Sequence, residues 1–205
     1  PVTARVMAAA TRLKGIVKYG VGIDAIDIPA AIARRIPVVN VPEYAEETVA
    51  EGAFMLLIAL ARKLLPVTRA VARDGWAWPT PAWLGNDLAG KTLGLVGTGR
   101  IGRSMARMAG RGFRMRVLGF DPNLSEAEMG RAGIEKCADL TSLLAASDAV
   151  SVHAVLDAGT RHLIGEAALR SMKPTALLVN VARGGIVDEA ALVRALEEGW
   201  IGGAG

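Results

Sequence analysis

Residues 92–121 read Thr92-Leu-Gly-Leu-Val-Gly97-Thr-Gly99-Arg-Ile-Gly102-Arg-Ser-Met-Ala-Arg-Met-Ala-Gly-Arg-Gly-Phe-Arg-Met-Arg116-Val-Leu-Gly-Phe-Asp121. An apolar run, Leu93 to Val96, enters a G-x-G-x-x-G made by Gly97, Gly99 and Gly102. A helical pattern leaves it, with Ile101, Met105, Met108 and Ala109 on one face, and a second apolar run, Arg116 to Phe120, ends in Asp121. This is a strand, a tight turn, a helix and a second strand with an acid about 20 residues beyond the last glycine, the arrangement that binds a dinucleotide. Gly97 is expected to make the turn, Gly99 to admit a pyrophosphate close to the backbone, and Gly102 to let helix and strand approach. The helix N-terminus offers unpaired N–H groups and partial positive charge to the phosphates, and Arg100, inside the turn, stands beside them. Asp121 is placed to accept hydrogen bonds from the adenosine ribose. A carboxylate there repels a 2′-phosphate, and Pro122 and Asn123 bring no compensating cation, so the reading is NAD rather than NADP.

Outward from this unit, helix-like and strand-like runs alternate, the pattern of a parallel α/β sheet. Strands are expected at 15–19, 37–41, 149–153 and 176–181, and helices at 29–35, 125–132, 139–145, 165–171 and 189–198. One long helix is expected from Glu46 to Arg73, apolar in its middle. Residues 75–84, with three Trp and two Pro, are too irregular for either element. Residues 46–205 therefore read as a doubly wound parallel sheet of Rossmann type lacking its last strands. Residues 1–45 read as part of a second α/β domain. The chain opens on Pro1 without the pattern of a secretory leader and stops at Gly205, where another apolar strand is expected, so it reads as an internal piece.

Bulk properties exclude several classes. With 52% apolar and 21% charged residues in 205, the chain is globular rather than disordered. One cysteine, Cys137, allows no intramolecular disulfide and suits a reducing cytoplasm, and one Cys with two His leaves no metal constellation. A net charge of +4 raises nucleic acid as a partner, but the arginines are dispersed, and Arg100, Arg103, Arg107 and Arg111 trace a solvated helical stripe. The most apolar run, Gly52 to Ala61, is half a membrane span, so no membrane partner is expected. Gly85-Asn-Asp-Leu-Ala-Gly-Lys-Thr92 satisfies the P-loop pattern, but a strand rather than a helix follows it, so it reads as a turn into that strand.

Arg183 is the strongest candidate for chemistry. It follows the buried-looking strand Ala-Leu-Leu-Val-Asn-Val-Ala and precedes Gly184-Gly185, which puts a guanidinium at the carboxyl end of a parallel strand, where open α/β sheets bind ligands. Such a group can clamp a carboxylate through two hydrogen bonds and polarise the adjacent carbonyl. On its own it reads equally well as a surface arginine of a βα loop.

Four blocks extend the argument: Lys18-Tyr-Gly-Val-Gly-Ile-Asp-Ala-Ile-Asp27, Glu47-Thr-Val-Ala-Glu51, Gly90 to Gly102, and Met172-Lys-Pro-Thr-Ala-Leu-Leu-Val-Asn-Val-Ala-Arg-Gly-Gly-Ile-Val-Asp-Glu189. With them the chain resembles the D-isomer-specific 2-hydroxyacid dehydrogenases along its whole length. The resemblance implies hydride transfer between NAD and a small 2-keto or 2-hydroxy acid, with a flavodoxin-like substrate domain and a homodimer formed through the NAD domain and the arm at 76–84. It implies that Arg183 is catalytic and that the Gly20-Val21-Gly22 loop holds the substrate carboxylate, Val21 and Gly22 foremost. It places Thr48, Gly97, Gly99, Arg100, Ile101, Gly102, Asp121, His153, Ala154, Val155, Thr160, Val181, Ala182 and Arg183 at the cofactor. A Glu–His pair that handles the proton is implied beyond Gly205, and a structural role is expected for both His153 and His162. Two positions depart from the family pattern: His-Ala-Val-Leu-Asp (153–157) lacks the usual Pro two after the His, and Gly52 stands where a His commonly follows Val-Ala-Glu. Asn-Val-Pro (40–42) and Glu-Glu-Thr (46–48) also resemble the C-terminal-binding-protein corepressors, which sense NAD(H) on the same fold. An NAD-using hydrolase of the adenosylhomocysteine type is a third reading, which Arg183-Gly-Gly disfavours.

Overall fold

The computed structural model describes residues 1–76 and 79–205. The chain divides into two compact units, Pro1–Glu46 and Glu47–Gly205.

In the first unit, α1 (Ala4–Ala9), β1 (Ile16–Lys18), α2 (Ile28–Ala33) and β2 (Val38–Asn40) follow in order, and β1 pairs with β2 in parallel. Met7, Ile26 and Ala31 form its small core. Asp27 caps α2 by accepting the Ala30 N–H at 3.0 Å, and Pro29 lies in the first turn, where its missing N–H costs nothing.

The second unit begins with α3 (Glu46–Ala61) and α4 (Leu64–Asp74), joined through Lys63 in the left-handed region at φ +52°. The single helix expected over 46–73 is thus two helices. Pro66, in the first turn of α4, cannot donate to an upstream carbonyl, and its ring excludes the carbonyl of residue 62 from a continuous helix. Of the irregular stretch, Pro81–Trp83 makes a 3₁₀ turn, while Ala77 and Trp78 lie outside the described residues.

The remaining elements are β3 (Thr92–Val96), α5 (Arg100–Arg107), β4 (Arg116–Phe120), α6 (Glu126–Arg131), β5 (Glu135–Lys136), α7 (Leu140–Ala146), β6 (Ala149–Val152), α8 (Glu166–Ser171), β7 (Leu177–Asn180), α9 (Glu189–Glu197) and β8 (Gly203–Ala204). Between α5 and β4 the helix widens into a π turn at Met108–Gly112. All six strands are parallel, in the order β5-β4-β3-β6-β7-β8. The sheet therefore reaches one strand further than expected, because the Gly203–Ala204 backbone pairs with Leu177 and Leu178.

Alternation along the strands deals side chains to two cores. Leu93, Leu95, Val117, Leu177 and Val179 meet α3 and α5 on one face through Phe54, Leu57, Met105 and Ala109. Val96, Leu118, Val150, Val152 and Leu178 meet α7, α8 and α9 on the other through Leu143, Leu144, Leu169 and Ala191. The buried positions of α3 are Ala50, Ala53, Phe54, Leu57 and Ala61, one helical stripe. Among the described residues no helix is long and apolar enough to cross a membrane.

The chain order reverses at β3, with β4 on one side and β6 on the other, and this switch point puts the ends of β3, β4 and β6 around one crevice.

Candidate functional site

The crevice begins with the Gly-rich turn. Gly97 has φ +88°, and a Cβ there would lie 2.7 Å from the Ala154 amide nitrogen, so only glycine lets the loop after β6 come this close. A Cβ on Gly102 would lie 2.5 Å from the Gly97 carbonyl oxygen, which is why the helix can start so close to the turn. Gly99 is the N-cap residue of α5, whose first turn carries no side-chain cap and no acid, and a Cβ there would meet nothing within 4 Å. Uncapped N–H groups facing open space suit the diphosphate of a dinucleotide.

Beside the turn a cavity of about 520 Å³ is lined by residues from the ends of β3, β4 and β6. It brings together Gly97, Gly99, Asp121, His153, Ala154, Val155 and Thr160 from the sequence-derived set. Arg100, Ile101 and Gly102 form the adjoining first turn of α5. Asp121 is fastened by backbone: its Oδ2 accepts the Thr98 N–H at 3.0 Å and its Oδ1 the Asn123 N–H at 3.0 Å. The cavity wall beyond β6 is a tight turn. Asp157 Oδ1 accepts the Gly159 and Thr160 N–H groups at 2.7 and 3.0 Å, and the Thr160 hydroxyl donates to the Val155 carbonyl at 2.6 Å.

His153 combines two observations. Its Nε2 lies 2.9 Å from the Ser151 Oγ, while its Nδ1 is buried without a hydrogen-bond partner. Burial lowers its pKa from 6.5 to about 4, so the imidazole is neutral near pH 7.

Thr48, Val181, Ala182 and Arg183 do not line this cavity. Thr48 is in the first turn of α3, next to Glu47, whose carboxylate accepts the Ser104 hydroxyl at 3.0 Å and pairs with Arg107 of α5. Those two bonds hold Glu47 well below the usual carboxylate range. Val181, Ala182 and Arg183 follow β7 on the carboxyl edge of the same sheet. Asn180 braces this loop twice: its Oδ1 accepts the Ala182 N–H and its Nδ2 donates to the Arg183 carbonyl, each at 3.0 Å. Arg183 itself is extended, at φ −141° and ψ 137°, and its Nη1 donates to the Ala182 carbonyl at 2.8 Å.

In the first unit, Val21 and Gly22 lie in the loop after β1. Asn40, at the end of β2, donates through Nδ2 to the Val21 carbonyl at 2.8 Å, and the Val41 N–H donates to the Gly20 carbonyl at 3.2 Å. The sequence reading missed Asn40, Asn180, Thr98 and Asp157. The common signal of Asn40, Asn180 and Asp157 is an Asn or Asp at the end of a strand or in the loop beyond it, where such side chains bond to nearby backbone, whereas Thr98 acts through its own N–H on Asp121.

The P-loop pattern at 85–92 leads directly into β3, with no helix at its end.

Residues 54–205 match the family described as D-isomer specific 2-hydroxyacid dehydrogenase, NAD binding domain. The glyoxylate reductase of Korarchaeum cryptofilum is 46% identical over 207 residues, covering 100% of this chain and 62% of that protein. This chain therefore spans less than two thirds of the length of that relative. Among solved structures, D-lactate dehydrogenase from Aquifex aeolicus, complexed with NAD and lactic acid, superposes with TM-score 0.88 at 33% identity, covering 99% of this chain and 60% of that one. An acyclic imino acid reductase in complex with NADPH and D-Arg superposes equally well, TM-score 0.88 at 34% identity, covering 99% of this chain and 64% of that one.

Proposed function

Because this chain belongs to the D-isomer specific 2-hydroxyacid dehydrogenase family, its residues 54–205 matching the NAD-binding domain, we propose that its protein moves a hydride between NAD(H) and a small 2-keto or 2-hydroxy acid of D configuration. The observation that carries this reading is the sharing of one sheet edge by the Gly97–Gly102 turn, Asp121 and Arg183. NAD supplies or accepts the hydride when bound. Gly97, Gly99, Arg100, Ile101 and Gly102 would hold its diphosphate, Asp121 its adenosine ribose, and His153, Ala154, Val155 and Thr160 would wall the adenosine end. Val181, Ala182, Arg183 and Thr48 would complete the cofactor set.

Arg183 is the catalytic group of this chain. Its fork of N–H donors grips the substrate carboxylate and draws electron density from the neighbouring carbonyl, which favours hydride arrival at carbon. The Asn180 brace fixes the backbone from which it reaches. In the first unit, the backbone N–H groups of Val21 and Gly22 suit a substrate carboxylate. The proton on the substrate oxygen comes from another group, because burial keeps the His153 imidazole neutral near pH 7, without the acidic imidazolium proton that a general acid supplies. Glyoxylate, the substrate named in the closely similar reductases, is the acid to assay first.

The second unit also carries an apolar groove of about 570 Å³ lined by Phe54, Met55, Ile58, Leu64, Met108 and Phe113. Met55 is 61% exposed and Leu64 54%, more than an isolated chain gains from leaving in water. A second copy of the chain is its occupant in the proposed homodimer, whose partners include neither nucleic acid nor membrane, and whose location is the cytoplasm.

The test is NADH oxidation, followed at 340 nm, by the full-length protein with glyoxylate, hydroxypyruvate and pyruvate. Turnover that Arg183→Ala lowers by at least about 100-fold supports the assignment. NADH binding without turnover on any acid overturns it in favour of an NAD-sensing binding protein.

A further inference from the structure

The two solved relatives described above hold NADPH in one case and NAD in the other on nearly the same backbone, so the fold does not choose the cofactor and side chains must. Among the described residues lining the adenosine cavity, Asp121 and Asp157 are the acidic side chains, and none is a Lys or Arg. Arg103, close by on α5, turns its Nε to the Thr98 carbonyl at 3.2 Å.

The two carboxylates are held differently. Asp121 spends both oxygens on the loop backbone, one on Thr98 and one on Asn123. Asp157 spends one. Its Oδ1 accepts from the Gly159 N–H and the Thr160 N–H, and Oδ2 takes part in neither bond. Such a turn needs a single carbonyl-type oxygen, which an asparagine provides equally well. The negative charge of Asp157 is therefore surplus to the structure of the turn, while it stands on the wall of the nucleotide cavity.

Resting on the NAD-binding reading above, we infer that Asp157 is a specificity-determining residue, a second anionic wall that with Asp121 disfavours dinucleotides bearing a 2′-phosphate. A cavity of this volume is about 10 Å across, comparable with the Debye length near physiological salt, so any charge on its wall acts on a phosphate inside it. Asp157 is exposed, which limits the discrimination it adds to about three- to tenfold in the ratio of NADPH to NADH dissociation constants.

The experiment measures those two constants by calorimetry on the full-length protein, for the natural sequence, Asp157→Asn and Asp157→Ala, at about 20 and 500 mM salt. Asp157→Asn keeps the turn and removes the charge. It is expected to lower the NADPH/NADH ratio three- to tenfold at low salt, chiefly through tighter NADPH, and to have little effect at high salt. Asp157→Ala removes the turn as well and is expected to weaken both cofactors. An unchanged ratio in Asp157→Asn at low salt, or equal shifts for both cofactors, overturns the inference and leaves NAD binding standing. Failure of the natural protein to bind either dinucleotide overturns the NAD reading, and the inference with it.

Discussion

Acidification is expected to cost this protein stability before its carboxylates are protonated, and His153 is the reason. Its imidazole is desolvated and its Nδ1 has no partner; this burial lowers the pKa from 6.5 to about 4. The folded-state value lies below the unfolded one. The unfolded chain thus takes up a proton as the pH falls through 6.5, while the folded chain refuses it until about 4. Folding is favoured fully above 6.5 and is penalised progressively between 6.5 and 4. At pH 4.5 the two values give a penalty of about 2.5 kcal/mol, and the limiting loss below pH 4 is about 3 kcal/mol. For a unit of this size, 2.5 kcal/mol corresponds to about 5–10 °C in melting temperature. The assay compares the natural sequence with His153→Gln, each melted at pH 7 and pH 4.5, so that losses from carboxylates common to both cancel. The natural protein is expected to lose about 5–10 °C more than the variant. In parallel, the imidazole resonance that disappears in His153→Gln is expected to titrate near pH 4 in the natural protein. Parallel melting of the two proteins across this range, or a His153 midpoint at 6 or above, would refute the reasoning.

The other expectations are steric and interfacial. Gly102→Val drives a branched side chain against the Gly97 carbonyl oxygen, 2.5 Å from where the Cβ must sit, and is expected to cost about 1–3 kcal/mol in urea unfolding and to abolish NADH binding together; unchanged affinity would show that the turn is not the diphosphate site. Met55→Glu puts a charge into the apolar groove between α3 and the 108–113 segment. Because Met55 is 61% exposed in the isolated chain, folding is expected to survive within about 0.5 kcal/mol while light scattering reports a monomer; a persistent dimer would place the interface elsewhere.

What could be read in the sequence, and what could not, follows from where the constraint lies. The turn from β3 into α5 was legible because Gly97 is forced by the loop after β6 and Gly102 by the Gly97 carbonyl a few residues before it, and the acid closing β4 stands at a fixed spacing. The break at Lys63 was not, although its cause is present as Pro66: the ring excludes a carbonyl four residues upstream, so the break falls before the proline, inside a run whose apolar content reads as continuous helix. β5 and β8, two residues each, have no period of their own and exist because Leu118, Gly119, Leu177 and Leu178 offer them partners. α1 buries one side chain, Met7, too little to leave a stripe.

The site divides in the same way. Residue types that a close backbone turn or a strand-end acid requires directly, Gly97, Gly102 and Asp121, announce themselves. Those that act by holding backbone, such as Asn180 at the Arg183 loop and Asn40 at the Val21 loop, are ordinary polar residues in sequence, and become meaningful only when their two partners are seen. Asp157 belongs to both groups. Its oxygen makes the turn, as an asparagine would, and so explains why a small polar residue is there; the turn does not explain why that residue is charged. A feature that local structure leaves unexplained has its cause in what the structure faces, which here is the cavity beside the Gly-rich turn. The same argument applies to His153, whose Ser151 contact accounts for one ring nitrogen while the other stands buried and unpartnered at the cavity wall.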